Sequence, residues 1–269
     1  MTRITEALVR DIVGKLVDPN TGISLGESKV IRAVGVDGAR VSVDLRLGYP
    51  AAGWKDSLAE EVRTRLHSEE GVESASVSVS SRVLAHQVQG KLSPMGGVKN
   101  IIAVASGKGG GGKATVAVNL ALALQAEGAA VGIMDADIYG PSQMRMLGVQ
   151  GKPDSPDGRS IIPRQAHGLQ MMSIGLLVEE DTAMIWRGPM VTQALMQLLN
   201  ETRWQELDYL IVVLPPGTGH IHLTLCQRVP VSVSVIVTTP QYIALLDAKH
   251  ALKLFAKVEV PVLGIIENI

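Results

Sequence analysis

The stretch that most constrains the fold is Val104-Ala105-Ser106-Gly107-Lys108-Gly109-Gly110-Gly111-Gly112-Lys113-Ala114-Thr115. A short apolar run, Ile101 to Val104, leads into it, and a helical run, Thr115 to Glu127, leads away. Strand, glycine loop and helix in that order turn backbone N–H groups and a helix N-terminus toward a phosphate. From Gly107 to Gly112-Lys113 the spacing follows the phosphate-loop pattern G-x-x-x-x-G-K, but the final Ser/Thr of that pattern is Ala114 here. The helix dipole disfavours a cation at the N-terminus, so Lys113 at the head of a helix argues for an anion beside it. Four successive glycines, Gly109 to Gly112, raise the cost of ordering the loop by roughly 0.5–1 kcal/mol each relative to alanine.

From Asn100 onward, apolar strands alternate with helices, which predicts an α/β domain with a mostly parallel sheet covered on both faces. The strands are expected at Ile101–Ala105, Val131–Met134, Leu169–Ser173, Tyr209–Leu214, Val233–Thr238 and Val262–Ile266, with helices near 115–127, 189–203 and 242–257. Ligands of such sheets sit beyond the carboxyl ends of the strands. Three of those ends carry information: the glycine loop, Asp135-Ala136-Asp137, and Pro215-Pro216-Gly217-Thr218-Gly219. Two carboxylates beside the loop point to Mg²⁺ and an attacking water. Asp137 would be the general base or water-positioning group, with Asp135 holding the metal through water.

Residues 1–84 read as a separate small α+β domain of order α-β-β-α-β. Ile4, Leu8, Ile12 and Leu16 recur at helical spacing, and Asp37-Gly38 marks a hairpin before the alternating run Val41, Val43, Leu45, Leu47. Trp54 to His67 is an amphipathic helix, and Val72 to Val79 a last strand. The composition of this unit suits docking or assembly better than catalysis. Residues 85–99, polar and broken by Pro94, Gly96 and Gly97, read as a linker to the nucleotide-binding domain expected over 100–269.

A net charge of −1 gives no basic excess to meet a nucleic-acid backbone. The single cysteine excludes an intrachain disulfide. With no leader-like or long apolar stretch in these residues, a cytoplasmic protein without a membrane partner is expected.

Gly107-Lys108-Gly109-Gly110-Gly111-Gly112-Lys113 is similar to the deviant phosphate loop of MinD/ParA-like ATPases. Asp135-Ala136-Asp137-Ile138-Tyr139-Gly140-Pro141-Ser142, Trp186-Arg187-Gly188-Pro189-Met190, Pro215-Pro216-Gly217-Thr218-Gly219 and Thr238-Thr239-Pro240-Gln241 together resemble the Mrp/ApbC iron–sulfur cluster carriers. The residues ahead of them resemble the small iron–sulfur biogenesis domain often fused to that ATPase. The resemblance implies an ATP-binding homodimer that assembles or transfers a [4Fe–4S] cluster to apoproteins, with ATP hydrolysis. It implies a nucleotide held by Gly107, Lys108, Gly109, Gly110, Gly111, Gly112, Lys113, Ala114 and Thr115, with Lys113 on the β/γ-phosphates and Lys108 acting catalytically across the dimer. Asn268 matches a family position near the adenine ring, and reads equally well as a strand-end turn residue.

The sequence departs from that pattern at the metal. The family has Ser or Thr where Ala114 stands and Asp where Val213 stands, so Mg²⁺ binding and hydrolysis are expected to be weakened. Thr115 does not substitute, because the next helical position points about 100° away. His220 and Tyr242 replace residues that are usually Asp and are read as drift. The family's Cys-x-x-Cys pair would follow the Glu267-Asn268 segment; the 269 residues hold only Cys226, read as a buried, inert thiol, so a shortened chain without cluster ligands is expected. Two other readings stand: a truncated, non-catalytic relative acting only as an interaction protein, and a ParA/MinD-type partitioning ATPase.

Overall fold

The computed structural model describes residues 4–90, 92–177, 188–217 and 220–268. Trp186-Arg187 and Thr218-Gly219, quoted above, lie outside them. The chain divides into two compact units, Met1–Leu84 and Ala85–Ile269.

In the first unit α1 (Glu6–Gly14) starts where Thr5, in extended conformation, accepts a hydrogen bond from the Leu8 N–H. β1 (Ile31–Asp37) and β2 (Arg40–Leu47) form the expected hairpin, α2 (Lys55–His67) crosses over, and β3 (Ser74–Ser81) returns parallel to β2. Leu45, Leu47, Leu58 and Leu66 are fully enclosed in its core.

The second unit begins with β4 (Val98–Ser106), α3 (Lys113–Ala126), β5 (Val131–Asp135) and the short α4 (Gln143–Met146). It continues through β6 (Arg164–Ala166), β7 (Leu169–Ser173), α5 (Gly188–Glu201), β8 (Leu207–Val213), α6 (His220–Arg228), β9 (Val233–Thr238), α7 (Tyr242–Lys257) and β10 (Val262–Glu267). Among the described residues the sheet runs β10-β9-β4-β8-β5-β7-β6, parallel except for the β6/β7 hairpin. Ala117, Val118 and Ala121 of α3 close one face, and Leu195, Leu198, Leu225 and Phe255 of α5, α6 and α7 close the other. This doubly covered parallel sheet is the α/β fold that the alternating pattern predicts.

The expected strands and helices did not include α4, β6 or α6. α6 is the crossover that parallel β8 and β9 require, but its nine residues begin with alternating His and Ile/Leu and show no clear helical stripe. Within the stretch read as a linker, Gln89 is buried in the second unit, and its side-chain amide donates to the carbonyls of Cys226 and Val229, both at 2.7 Å.

Register places Val213 opposite both Val104 and Asp135, and Ser106 opposite Val237. The carboxyl ends of β4, β8, β5 and β9 therefore finish at one level, where the site lies.

Candidate functional site

β4 ends at Ser106, whose hydroxyl donates to the Lys108 carbonyl at 2.9 Å and bends the chain into the loop. Gly107 must be glycine: a Cβ there would lie 2.4 Å from the Asp247 Cβ on α7. Gly112 has φ of 86° and would place a Cβ 2.2 Å from the Asn268 side-chain nitrogen. Gly112 offers no side chain to cap α3, and the helix has no acid in its first turn, so its N-terminal N–H groups are left for an anion.

That helix end opens on a cavity of about 390 Å³ lined by Ser106, Gly109, Gly110, Gly112, Lys113, Ala114, Asp137, Tyr139, Gly140, Ser142 and Pro216. Lys113 is 7% exposed, and its ammonium donates to Asp137 Oδ2 at 3.0 Å. The other carboxylate oxygen, Asp137 Oδ1, is buried without a partner among the described residues. A buried ion pair with one oxygen unsatisfied is a site waiting for a donor, such as water or a ligand group.

Asp135 faces elsewhere. It is completely buried, and its carboxylate accepts from the backbone N–H groups of Asp137, Ser142 and Gln143 at 2.8–3.1 Å. Burial raises its pKa, while those three hydrogen bonds and the Lys113 charge act to lower it. Its visible work is to fold the 137–143 turn and aim Asp137 at Lys113, and it is not part of the cavity lining. Gln143, anchored by this turn, donates to the Ala114 carbonyl at 3.0 Å and leaves its own Oε1 buried and unpartnered among the described residues.

The other expected site residues are distributed as follows. Gly109, Gly110, Gly112, Lys113 and Ala114 line the cavity; Gly107 backs onto α7; the buried Gly111 turns its carbonyl to the Asn268 amide at 3.3 Å. Lys108 is half-buried and outside the lining, and Thr115 is exposed, its carbonyl bonded to Asn119. Asn268 thus braces the phosphate loop from behind, and its backbone N–H donates to Thr238 at 2.8 Å. Tyr242 is 74% exposed on α7.

The donor set around the loop suits phosphate better than Mg²⁺. Ala114 presents a methyl group where the loop pattern has a hydroxyl. Val213 is 1% exposed and packs in an apolar cluster with Val104, Val237 and Ala117. Among the described residues no group of three or more His, Cys, Asp and Glu side chains converges as a metal site.

Sequence reasoning missed His222. It is 3% exposed in the first turn of α6, with Nε2 unpartnered among the described residues. Its pKa is pushed down to about 4, first by burial and then by the Lys113 charge, with Asp137 opposing. Counting α6 as the obligatory crossover between β8 and β9 would have marked this stretch as helical.

Cys226 is 1% exposed and burial pushes its thiol up to about 12. Native protein is therefore expected to resist thiol labelling at pH 8 and to react fully in denaturant; rapid stoichiometric labelling of the folded chain would contradict this burial.

A parallel sheet whose first strand runs through a glycine loop into an uncapped helix carrying Lys113 defines a phosphate-loop nucleoside-triphosphatase fold of the MinD/ParA type. Residues 97–269 match the family model described as ParA, NUBPL iron-transfer P-loop NTPase, and residues 6–79 match that of an iron–sulfur cluster assembly protein domain. The chain belongs to this iron-transfer P-loop NTPase family. It is 64% identical over 173 residues to the iron–sulfur cluster carrier protein of Escherichia coli, covering 64% of this chain and 47% of that one. To the carrier proteins of Haemophilus influenzae and Synechocystis it is 47% and 44% identical, covering 97% and 98% of this chain and 70% and 76% of theirs. The chain thus spans about half the length of the first of these relatives and about three quarters of the others. A nucleotide-binding protein of Archaeoglobus fulgidus solved with ADP is similar with a TM-score of 0.56 and 36% identity, over 64% of this chain and 67% of that one.

Proposed function

We propose that this chain is the ATP-binding part of an iron–sulfur cluster carrier, in which nucleotide occupancy governs assembly or delivery of a [4Fe–4S] cluster to apoproteins. The observation that carries the nucleotide reading is Lys113, buried at the mouth of an uncapped helix and lining a cavity of about 390 Å³. The cluster reading is supported by the family and by the carrier proteins it resembles. The cluster is cargo, and Cys226, buried and pushed to the thiol form, does not supply its ligands.

In this reading the glycine loop and the α3 N-terminus bind the β/γ-phosphates, and Lys113 exchanges Asp137 for phosphate oxygen. Asp137, released, orients water through its unpartnered oxygen. Lys108, outside the cavity lining, is assigned to the partner's nucleotide in a homodimer. Asp135 acts by positioning the turn that carries Asp137, and Asn268 by bracing the loop. Residues 1–84 serve as a docking or assembly domain, and the cytoplasm is the expected compartment; among the described residues no helix is long and apolar enough to cross a membrane.

Ala114 and Val213 favour a second reading, a nucleotide-binding relative that turns over slowly or not at all. Calorimetry of ATP with and without Mg²⁺ tests both. Weak binding with little Mg²⁺ dependence is expected. No binding under either condition removes the nucleotide site, whereas tight, strictly Mg²⁺-dependent binding removes the argument from Ala114 and Val213.

A further inference from the structure

The phosphate cradle is short of positive charge. Lys113 is the one cation among the described residues that line the cavity, and its ammonium lies 3.0 Å from Asp137 Oδ2. Lys108 is half-buried and outside the lining. The α3 N-terminus adds about half an elementary charge. Ala114 presents a methyl group and Val213 is enclosed in an apolar cluster, so neither offers an oxygen to a divalent ion. A polyphosphate arriving here meets a pair of net charge zero and a helix end.

Asp137 sets how much of a polyphosphate that cradle can hold. It lines the same cavity as Lys113, its side chain is 14% exposed, and Oδ1 is buried with no donor among the described residues. A phosphate oxygen that accepts from the Lys113 ammonium at about 2.9 Å lies within about 6 Å of Asp137 Oδ2, because the ammonium itself is 3.0 Å from that oxygen. Like charges that close oppose one another. The backbone that carries the carboxylate has no freedom to withdraw. The Asp137 N–H donates to Asp135 Oδ1 at 3.1 Å, and the Ser142 and Gln143 N–H groups donate to Asp135 Oδ2 at 2.8 and 2.9 Å, which pins both ends of the turn. We propose that, in the absence of a divalent metal, this cradle selects a nucleoside diphosphate over the triphosphate, and that Asp137 is the residue that makes the choice. The inference rests on reading the cavity as a nucleotide site.

The physical reason is an inventory of charge. Backbone N–H groups of the glycine loop and the helix end satisfy one phosphoryl group, and Lys113 satisfies a second. A third brings one more negative charge, and no further cation among the described residues lines the cavity to receive it. The nearest charged group left to face it is the Asp137 carboxylate, of the same sign. In an enclosed site an unmatched charge is far more costly than in water. The selection is therefore one of charge and not of length, and the two can be separated.

Calorimetry at pH 8 with a metal chelator, where terminal phosphates are ionised, is the test. Three ligands are compared: ADP, ATP, and ATP carrying a methyl ester on its γ-phosphate, which has the length of ATP and the charge of ADP. ADP and the ester are each expected to bind wild type several-fold more tightly than ATP. In Asp137→Asn, which keeps the shape of the side chain and removes its charge, ATP should gain several-fold more affinity than ADP. Should that variant not fold, the three ligands on wild-type protein decide the matter alone. ATP binding as tightly as ADP, an ester no better than ATP, or an equal gain for both nucleotides in the variant overturns the proposal and leaves the nucleotide site standing. If none of the three binds wild type, that site falls and the proposal with it.

Discussion

Lys113→Ala is expected to weaken ATP binding by about 30-fold to several thousand-fold, the range that follows from removing one partner of an enclosed, hydrogen-bonded charge pair, about 2–5 kcal/mol. The effect should be this large because the ammonium is 7% exposed and lines the cavity at the head of α3. The same substitution strips Asp137 of its only ion-pair partner among the described residues, and a buried carboxylate left alone costs about 3–5 kcal/mol of folding stability. Two effects of one mutation must then be separated. Lys113→Met with Asp137→Asn removes both charges together, and a buried pair replaced as a unit is often close to neutral for stability. Urea denaturation should show the double variant recovering most of the stability lost in Lys113→Ala, while calorimetry shows ATP binding still weakened to a similar degree. A double variant that binds ATP like wild type would mean that Lys113 serves the fold and not the ligand.

The phosphate loop was legible because its information is local: a β-branched run, glycines at turn positions, then a helix. The sheet was legible for the same reason, since strands buried on both faces have no need to alternate polar residues. The environment of each carboxylate was not. Asp135 and Asp137 are two residues apart and were both read as facing the metal and its water, yet the first is spent on three backbone N–H groups and the second reaches Lys113, 24 positions earlier. Their division of labour depends on how residues 137–143 fold back, which no spacing rule encodes. Asn268 is a similar case, because its contact with Gly111 and Gly112 joins β10 to a loop more than 150 residues away. His222 stayed hidden because α6 shows no amphipathic stripe. The edge strand β10 departs from expectation in another way: VLGIIE reads like an interior strand, yet Leu263 and Ile265 are 74% and 52% exposed.

Restoring the metal grip is the complementary experiment, and two substitutions should be needed. Ala114→Ser puts a hydroxyl at the second residue of α3, on the cavity wall, at a helix-propensity cost of about 0.5 kcal/mol. Val213→Asp is harsher. Val213 is 1% exposed among Val104, Val237 and Ala117, so a carboxylate there enters an apolar cluster and should lower stability by about 3 kcal/mol or more. Its backbone, however, sits in register between Val104 and Asp135 at the carboxyl ends of the strands, level with the phosphate loop. A divalent ion and nucleotide bound there would give the new carboxylate its counter-charge, and a ligand that binds only the folded state adds about 2.7 kcal/mol when present at a hundred times its Kd. The double variant should therefore melt below wild type without ligand and regain much of the loss with Mg²⁺ and ATP together, while wild type responds to Mg²⁺ hardly at all. ATP affinity in the double variant should rise at least about tenfold with Mg²⁺, and phosphate release should become measurable in it alone. If the melting temperature and ATP affinity of the folded double variant ignore Mg²⁺, then Ala114 and Val213 are not what separates this chain from a metal-dependent enzyme, and the charge deficit of the cradle must be traced to Asp137 instead.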